Sequence, residues 1–599
     1  MITDCGYSTE PPDKQYRPAT ILKFFIVIAG ISFILRIWYA GDLYQDDGLW
    51  FVAAEEILRG KALYREIFFD KPPALPLAYA TLFKIFGPHI LTIRLFTICY
   101  SVAVSAILYR FGSRFYDKRT GLIAAAMFAV FSTTYISGDI QSLNTDFLMV
   151  PFYSAGAYLL MLSVAQFIRG GNWQDRSFRL ALAGGCMTGV AFQINPKGAF
   201  DLIFFALLLI GAYSWATGPL NTIKHTVAAS KLFVVAVIGF ALASLPCILY
   251  LSGTNSFSRY KLYVWDLSIS YTNYYPARRA AEMFRRYGTD YFLINNLLLI
   301  TLLVITASFL HRALLYERAR RRTDAESIQP VRGSVYQAES CLTLGSDAAL
   351  LIWFAVSFVG VATGGRFFAH YYFQALPSLC LIGARGLVVI VSTLKGRGKI
   401  LRLTVTALLV AGLLYTLVRS HSETAALAFD FIRGRNSNVS REARIVSAIV
   451  RDVPDPADMV DRVGPEAVRQ GGPRTRAADG PPDYLFVWGN WPEIYYRSGL
   501  LPASQYVGVQ PLTGLPADLQ YGKEEYRPLI DANLVAAARA ELARELEQTQ
   551  PKYIVDELGF RDDQLSIKRS TEMRDFMSNY ERYGPDDSFP IYVRKTVGK

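Results

Sequence analysis

The chain contains little cysteine, and none of it lies where it could stabilise an outer domain. Only 6 of the 599 residues are cysteine. Four lie in apolar runs, at Cys99, Cys186, Cys247 and Cys380, and none follows residue 420. A disulfide framework or a thiolate zinc site needs several cysteines close together. We therefore expect neither in the C-terminal part.

The chain carries an excess of positive charge, but this does not indicate a nucleic-acid partner. Lys and Arg number 62 against 50 for Asp and Glu, and much of the excess lies in short loops between apolar runs. Basic loops are typical of the cytoplasmic side of membrane proteins, where anionic lipid attracts them. We therefore expect membrane lipid, and no nucleic acid, as a partner.

Long apolar runs dominate the chain. Hydrophobic residues make up 52% of it, and about 20 mostly apolar residues suffice to cross a bilayer. The runs predict a polytopic α-helical membrane protein with about 11 to 13 transmembrane helices. They lie near residues 20–39, 89–110, 120–137, 146–168, 180–195, 199–216, 232–252, 291–311, 347–364, 371–391 and 400–419. No small-residue cleavage site follows the first run, so we predict a retained anchor.

The distribution of Lys and Arg predicts the orientation and the domains. The basic loops near residues 110–119, 169–179, 312–322 and 395–402 all become cytoplasmic in one orientation. That orientation predicts a cytoplasmic tail at 1–19, a transmembrane domain at 20–419 and an outer domain at 420–599. In the outer domain, the strand-like segments Tyr484–Gly489 and Tyr553–Glu557 and the helix-like segment Asn533–Gln548 predict a small α/β fold.

The first outer loop, between Tyr39 and Pro88, holds the clearest chemical groups. It contains the adjacent carboxylates Asp46 and Asp47 and a Lys-Pro-Pro that begins at Lys71. Two amphipathic pieces, Asp47–Leu58 and Ala74–Phe86, are too short to span a membrane, and we predict that they lie in its interface.

Those groups suit the transfer of a sugar from a lipid phosphate. The reaction needs a carboxylate that accepts a proton and cations that neutralise the departing phosphate. Asp46 or Asp47 could supply the first and Lys71 the second. The alternative interpretation is that Asp46 only caps the helix that follows.

A later outer loop, from Ser252 to Asp290, is unexpectedly basic. Its Arg278 and Arg279 break the rule that positive charge stays inside. Two interpretations stay open: these side chains bind phosphate, or they snorkel from a helix at the membrane surface.

Further motifs extend the argument beyond the first loop. They are Asn144-Thr145-Asp146, the segment GVAFQINPKG that contains Lys197, and RFFAHYYFQALP, which contains Arg366 and His370. With the first loop, they resemble GT-C glycosyltransferases of the protein O-mannosyltransferase and lipid A aminoarabinose transferase type. The resemblance implies a GT-C fold and covers most of the chain.

The resemblance implies roles for individual residues. Asp46 matches the catalytic base, Asp146 the second acidic residue of the site, and Lys71 a cation near the donor phosphate. Asp47 stands where Glu is commoner in the family, and Asn195-Pro196 precedes Lys197 where Thr or Ser is usual. Further candidate contacts to the donor phosphate are Lys197, Arg366, His370, Arg278 and Arg279.

Structural alternatives accompany three of these roles. Asp146 could simply begin a helix, His370 could be a satisfied polar group at a helix start, and Lys197 could mark a break between two half-helices. No cofactor is firmly implied, although a divalent metal ion between Asp46 and Asp146 is one option.

The resemblance implies an inverting glycosyltransferase that uses a polyprenyl-phosphate-linked sugar. The implied acceptor is a glycolipid such as lipid A, a polysaccharide or a protein, on the outer face of the bacterial inner membrane. Two alternatives stay open. One is a protein O-mannosyltransferase proper, and the other, from a different class, is a membrane transporter or lipid flippase.

Overall fold

A computed structural model gives the fold. It describes residues 18–39, 45–135, 141–169, 174–216, 222–325, 335–433, 446–447, 449–450, 483–515, 530–583 and 589–595. Almost all of the predicted N-terminal tail, 1–19, lies outside the described residues.

Each of the eleven apolar runs contains a helix. The two helices of the first outer loop lie between the first two of these. Four short helices, α10 to α13, lie in the basic segment between the seventh and eighth runs. In chain order the helices of the membrane part are α1 Pro18–Arg36, α2 Gln45–Leu58, α3 Ala74–Phe86, α4 Ile90–Phe115, α5 Lys118–Phe131, α6 Thr145–Arg169, α7 Gln174–Ile194, α8 Phe200–Ala216, α9 Thr222–Gly253, α10 Phe257–Tyr260, α11 Leu267–Thr272, α12 Ala277–Met283, α13 Thr289–Ile294, α14 Asn296–Ala325, α15 Val335–Ala362, α16 Leu376–Leu394 and α17 Lys399–Ile432.

Eight helices within the described residues are long and apolar enough to cross a membrane. They are α1, α4, α6, α9, α14, α15, α16 and α17. Three helices of predicted runs, α5, α7 and α8, fall below that measure of length and composition. The predicted class of multi-span α-helical membrane protein is confirmed. The last helix continues to Ile432, past the predicted boundary at 420, and the domain limits stay a prediction.

One of the two helices predicted for the membrane interface, α2, differs from the expectation. Helix α2 is present, but its central apolar residues, among them Phe51 and Val52, are buried within the protein, whereas Leu58 at its end is exposed. The basic segment after Ser256 is a succession of short helices, with π-helical turns at Lys261–Asp266 and Phe284–Gly288. Exposed apolar side chains of α3, Ile85 and Phe86, fit a helix at the edge of the bundle.

The C-terminal part forms the predicted α/β domain. Its strands are β1 Tyr484–Trp488, β2 Leu501–Pro502, β3 Tyr553–Asp556, β4 Tyr580–Tyr583 and β5 Ile591–Arg594, and its helices are α18 Glu493–Ser498, α19 Gln510–Thr513, α20 Ala532–Thr549, α21 Glu557–Arg561 and α22 Arg574–Met577. The sheet order is β2-β1-β3-β5-β4. Strand β1 is parallel to β2 and β3, whereas β5 is antiparallel to β3 and β4. The segments predicted as two strands and a helix are β1, β3 and α20, so this prediction is confirmed.

Short 3-10 turns complete the chain and include two that bear on the site. Pro196–Ala199 joins α7 to α8, and Ala369–Gln374 precedes α16. The others are Ile37–Tyr39, Asp563–Leu565, Ile567–Arg569 and Thr571–Met573.

Candidate active site

The adjacent carboxylates begin α2, and their surroundings differ. Both lie in the first turn, where the positive end of the helix dipole favours negative charge. Asp47 is buried: one of its oxygens is 2.7 Å from Nη2 of Arg94, and the other accepts a hydrogen bond of 3.2 Å from the hydroxyl of Tyr79. Asp46 is exposed. Asp47 therefore anchors α2 inward, while Asp46 is the carboxylate that a substrate can reach.

Lys71 lies in the electrostatic field of Asp46. Its Nζ is 3.0 Å from Oδ2 of Asp70, and its carbonyl oxygen accepts a hydrogen bond of 2.8 Å from Tyr64. Burial lowers the pKa of Lys71, but the negative charges of Asp70, Asp46 and Asp146 outweigh it and leave the pKa raised. Lys71 is therefore a stable cation close to both predicted acidic residues.

Asp146 and Lys197 form the second half of the cluster. Asp146 lies in the first turn of α6, and its Oδ1 is 3.0 Å from Nζ of Lys197. Both side chains are largely buried, at 4% and 14% exposed. Burial lowers the pKa of Lys197, Asp146 opposes that effect, and the nearby charge of Lys71 adds to the lowering, which prevails. The two lysines and the carboxylates of Asp46, Asp70 and Asp146 thus act on one another in one place.

The residues before Lys197, which depart from the family pattern, have a structural role. The side chain of Asn195 accepts a hydrogen bond of 3.1 Å from the backbone N–H of Lys197 and donates one of 3.2 Å to Thr145. Pro196 begins the 3-10 turn, where a missing N–H costs nothing. The turn is therefore capped and tied to the start of α6, next to Asp146.

Two neighbours of Lys197 were not singled out from the sequence. The Lys197 Nζ lies 3.5 Å from the centre of the Tyr371 ring, and the side chain of Gln374 donates a hydrogen bond of 3.1 Å to the Lys197 carbonyl. A cation over an aromatic face is attracted by the ring quadrupole. Both residues lie in the motif RFFAHYYFQALP, which is visible in the sequence. The sequence does not indicate which residues of this motif contact Lys197.

Arg366 and His370 lie in the same segment with different contacts. Arg366 is fully buried and donates hydrogen bonds of 2.9 and 3.2 Å to the carbonyls of Tyr271 and Gly364. Its guanidinium stacks over the ring of Tyr271 at 3.4 Å. His370 contacts the ring of Tyr371, with centroids 4.8 Å apart. His370 therefore contacts Tyr371, which in turn contacts Lys197 of the cluster. Arg366 instead contacts Tyr271 in the basic segment.

Arg278 and Arg279 lie on α12, at the surface of that basic segment. Each is 3.5 Å from Glu282, and the Arg278 side chain is 93% exposed. Helix α12 packs next to the residue that precedes Arg366, since a Cβ added to Gly365 would lie 2.6 Å from Cβ of Ala280. The exposed Arg278 side chain can reach an anion in solution or at a lipid surface, and a role of either arginine in donor binding stays a prediction.

A metal ion has few ligands among the described residues. Within the ranges that the structure describes, there is no group of three or more His, Cys, Asp or Glu side chains that could hold one. Of the three carboxylates near the two lysines, Asp70 already pairs with Lys71 and Asp146 with Lys197. The arrangement fits two ammonium groups better than a divalent ion.

Residues 70–246 match the model of the dolichyl-phosphate-mannose-protein mannosyltransferase family. The predicted resemblance is therefore confirmed over that segment. It contains Lys71, Asp146 and Lys197, whereas Asp46, Arg366 and His370 lie outside it. Comparison with curated protein sequences gives no match.

Similar solved structures include two membrane enzymes. ArnT from Cupriavidus metallidurans, bound to undecaprenyl phosphate, is 12% identical, with a TM-score of 0.48 over 97% of this chain and 99% of that one. The archaeal oligosaccharyltransferase AglB from Archaeoglobus fulgidus, in complex with an inhibitory peptide and a dolichol-phosphate, is 14% identical, with a TM-score of 0.47 over 97% of this chain and 75% of that one.

Proposed function

We propose that the chain is an inverting glycosyltransferase that moves a sugar from a polyprenyl-phosphate-linked donor to an acceptor on the outer face of a bacterial inner membrane. The observation that carries the proposal is the cluster of Asp46, Lys71, Asp146 and Lys197 at neighbouring helix ends. The family match over residues 70–246 supports the reaction class.

The proposed step needs one base and two cations. A hydroxyl or amine of the acceptor attacks the anomeric carbon of the sugar, and the bond from that carbon to the phosphate oxygen breaks. Asp46, the exposed carboxylate, takes the acceptor's proton. Lys71 and Lys197 neutralise the charge that develops on the departing polyprenyl phosphate. Because attack occurs opposite the leaving group, the anomeric configuration inverts.

Two further carboxylates, Asp146 and Asp47, hold the reacting groups in place. Asp146 keeps Lys197 in position through their 3.0 Å ion pair, and Asp47 fixes the start of α2 through Arg94. Polyprenyl phosphate leaves as a stable phosphate monoester anion and requires no general acid, so the cluster differs from the carboxyl pair of a glycoside hydrolase. Arg366, His370, Arg278 and Arg279 are proposed as further contacts to the donor.

Replacement of the proposed base tests the function. Asp46→Asn should keep the fold and lower turnover of a labelled polyprenyl-phosphate sugar by about 100-fold or more, since general base catalysis typically contributes that much. Asp266→Asn is the matched control, because Asp266 is a partly exposed carboxylate that pairs with Lys261 across a surface segment. It should retain turnover. Full turnover in Asp46→Asn would reject Asp46 as the base.

The same variant separates the enzyme from a transporter or flippase, because transport gives no reason to depend on this carboxylate. The description of the matched family favours one narrower alternative, a protein O-mannosyltransferase proper. Mass spectrometry of surface glycolipids, polysaccharide and protein, from cells with and without the gene, would identify the acceptor. Loss of a protein-bound hexose alone would favour that alternative.

A further inference from the structure

The C-terminal domain lies directly against α2, the helix that begins with Asp46. Gly48 is the point of closest approach: a Cβ added there would lie 2.8 Å from the backbone nitrogen of Glu493 and 3.2 Å from Cγ of Pro492. A separation below 3.0 Å would force one of the two backbones to move. Only glycine therefore allows this contact, which lies two residues after the proposed base.

Aromatic and aliphatic side chains extend the contact along α2. One turn after Gly48, the ring of Phe51 lies 4.6 Å from that of Tyr496 on α18. Val52 is buried in a cluster with Ile494 and Tyr495 of the same helix. These residues belong to one face of α2, because positions three and four apart are neighbours on a helix.

The other faces of α2 pack on the membrane part. Phe51 also contacts Phe83 of α3, with centroids 4.3 Å apart, and Asp47 pairs with Arg94 of α4. Helix α2 is thus enclosed between the membrane helices and the C-terminal domain. Its position depends on both.

Two further contacts hold the C-terminal domain in this place. The backbone N–H of Phe68, near Lys71, donates a hydrogen bond of 2.9 Å to the carbonyl of Gln505. Arg259, at the start of the basic segment, lies 2.6 Å from Glu541 of α20. The domain therefore touches the first outer loop on both sides of the cluster, next to Asp46 and next to Lys71.

We infer that the C-terminal domain is a positioning element for the active site, in which Pro492–Ser498 fixes the helix that carries Asp46. This inference rests on the proposed function for its consequence in catalysis. The packing consequence is independent of it: removal of the contact should loosen α2 while the domain itself stays folded.

Hydrogen–deuterium exchange of the purified full chain in micelles tests the packing directly. In Tyr496→Ala, the amides of Gln45–Leu58 should exchange faster, on the order of tenfold, because local opening becomes easier. Tyr496→Phe keeps the ring contact and should exchange like the unchanged protein. Tyr583→Ala, a partly exposed tyrosine on strand β4, is the matched control and should leave α2 unaffected. Unchanged protection of β1 and β3 shows that the domain has kept its fold.

Gly48→Ala tests the contact from the membrane side, with the C-terminal domain unaltered. Alanine has a higher helix propensity than glycine, so a purely local effect would slow exchange in α2. The contact with Glu493 predicts the opposite: faster exchange in both α2 and α18, because the added Cβ separates them. Slower exchange in α2, or no change in either Gly48→Ala or Tyr496→Ala, would overturn the inference.

The catalytic consequence has its own measurement. Tyr496→Ala should lower kcat for a labelled polyprenyl-phosphate sugar at least fivefold, while binding of polyprenyl phosphate, measured by native mass spectrometry, stays unchanged. Loss of lipid binding together with turnover would reject positioning of the base. If Asp46→Asn keeps full turnover, the proposed function fails, and the exchange results still decide whether the domain holds α2.

Discussion

Asp46 and Asp47 are adjacent in the chain, and their side chains enter opposite surroundings. Asp47 is 1% exposed and contacts Arg94, itself 3% exposed. A buried ion pair adds little net stability when intact, but removal of one partner leaves the other charge without compensation. Asp47 therefore holds the helix start in place, and in the proposed step the exposed Asp46 takes the proton.

Asp47→Asn should reduce the free energy of unfolding by about 3 kcal/mol, since Arg94 would stay buried without its counter-charge. Chemical denaturation in micelles measures this loss. A second substitution, Arg94→Met, should recover part of it. Asp266→Asn removes a surface pair and should cost about 1 kcal/mol or less. Equal stability of the two single variants would show that the buried pair does not hold α2.

At the scale of elements, small residues bring two helices of the bundle into close contact. A Cβ added to Gly185 of α7 would lie 1.9 Å from the carbonyl oxygen of Ala236 on α9, and one on Gly239 of α9 would lie 2.2 Å from that of Leu182. Glycines at such positions let helix backbones approach closely within a membrane. The pair α7 and α9 places Lys197, which follows α7 directly, beside α6.

Gly185→Ala should therefore destabilise the protein by about 1–3 kcal/mol, because the extra methyl group overpacks the contact. Gly211→Ala on α8 is the matched control, since nothing lies within 4 Å of its added Cβ. It should be neutral or should stabilise the helix by about 0.5–1 kcal/mol. The midpoints of thermal unfolding in micelles distinguish the two variants. Equal midpoints would contradict the close packing.

Several elements follow from local pattern and others do not. The apolar runs predicted eleven helices and two short apolar segments predicted β1 and β3, because length and composition are local properties. The burial of α2 was missed. Its amphipathic sequence fits a membrane interface and a protein groove equally well, and the choice depends on the C-terminal domain far along the chain.

For the molecule as a whole, the orientation in the membrane determines which side the cluster faces. The proposed reaction requires that this side is the outer one, where we place the lipid-linked donor. The cluster and the C-terminal domain lie together at one end of the bundle, through contacts such as that of Gly48 with Glu493. The loop with Lys395 and Arg397, between α16 and α17, is basic and exposed. Basic loops of this length favour the cytoplasmic side.

Cysteine labelling of intact cells tests the orientation, in a background whose native cysteines are replaced. A membrane-impermeant maleimide should label Arg569→Cys, on the C-terminal domain, and leave Arg397→Cys unlabelled until the membrane is opened. Both side chains lie on described surface segments. The reverse pattern would place the cluster in the cytoplasm and reject the proposed site of reaction.

The membrane class, the positions of the helices in the apolar runs, the α/β character of the C-terminal part and the motifs with acidic and basic residues can all be predicted from the amino-acid sequence. Hydropathy, periodicity and residue type are sufficient for these, because they act over a few neighbouring residues. Long-range packing, in contrast, is needed to show that Asp47 faces Arg94, 47 residues away, and that Lys197 reaches Asp146, 51 residues away. The same is true of the contact between Tyr496 and Phe51. The local sequence pattern determines which face of a helix is apolar. Which segment packs on that face depends on how distant parts of the chain come together.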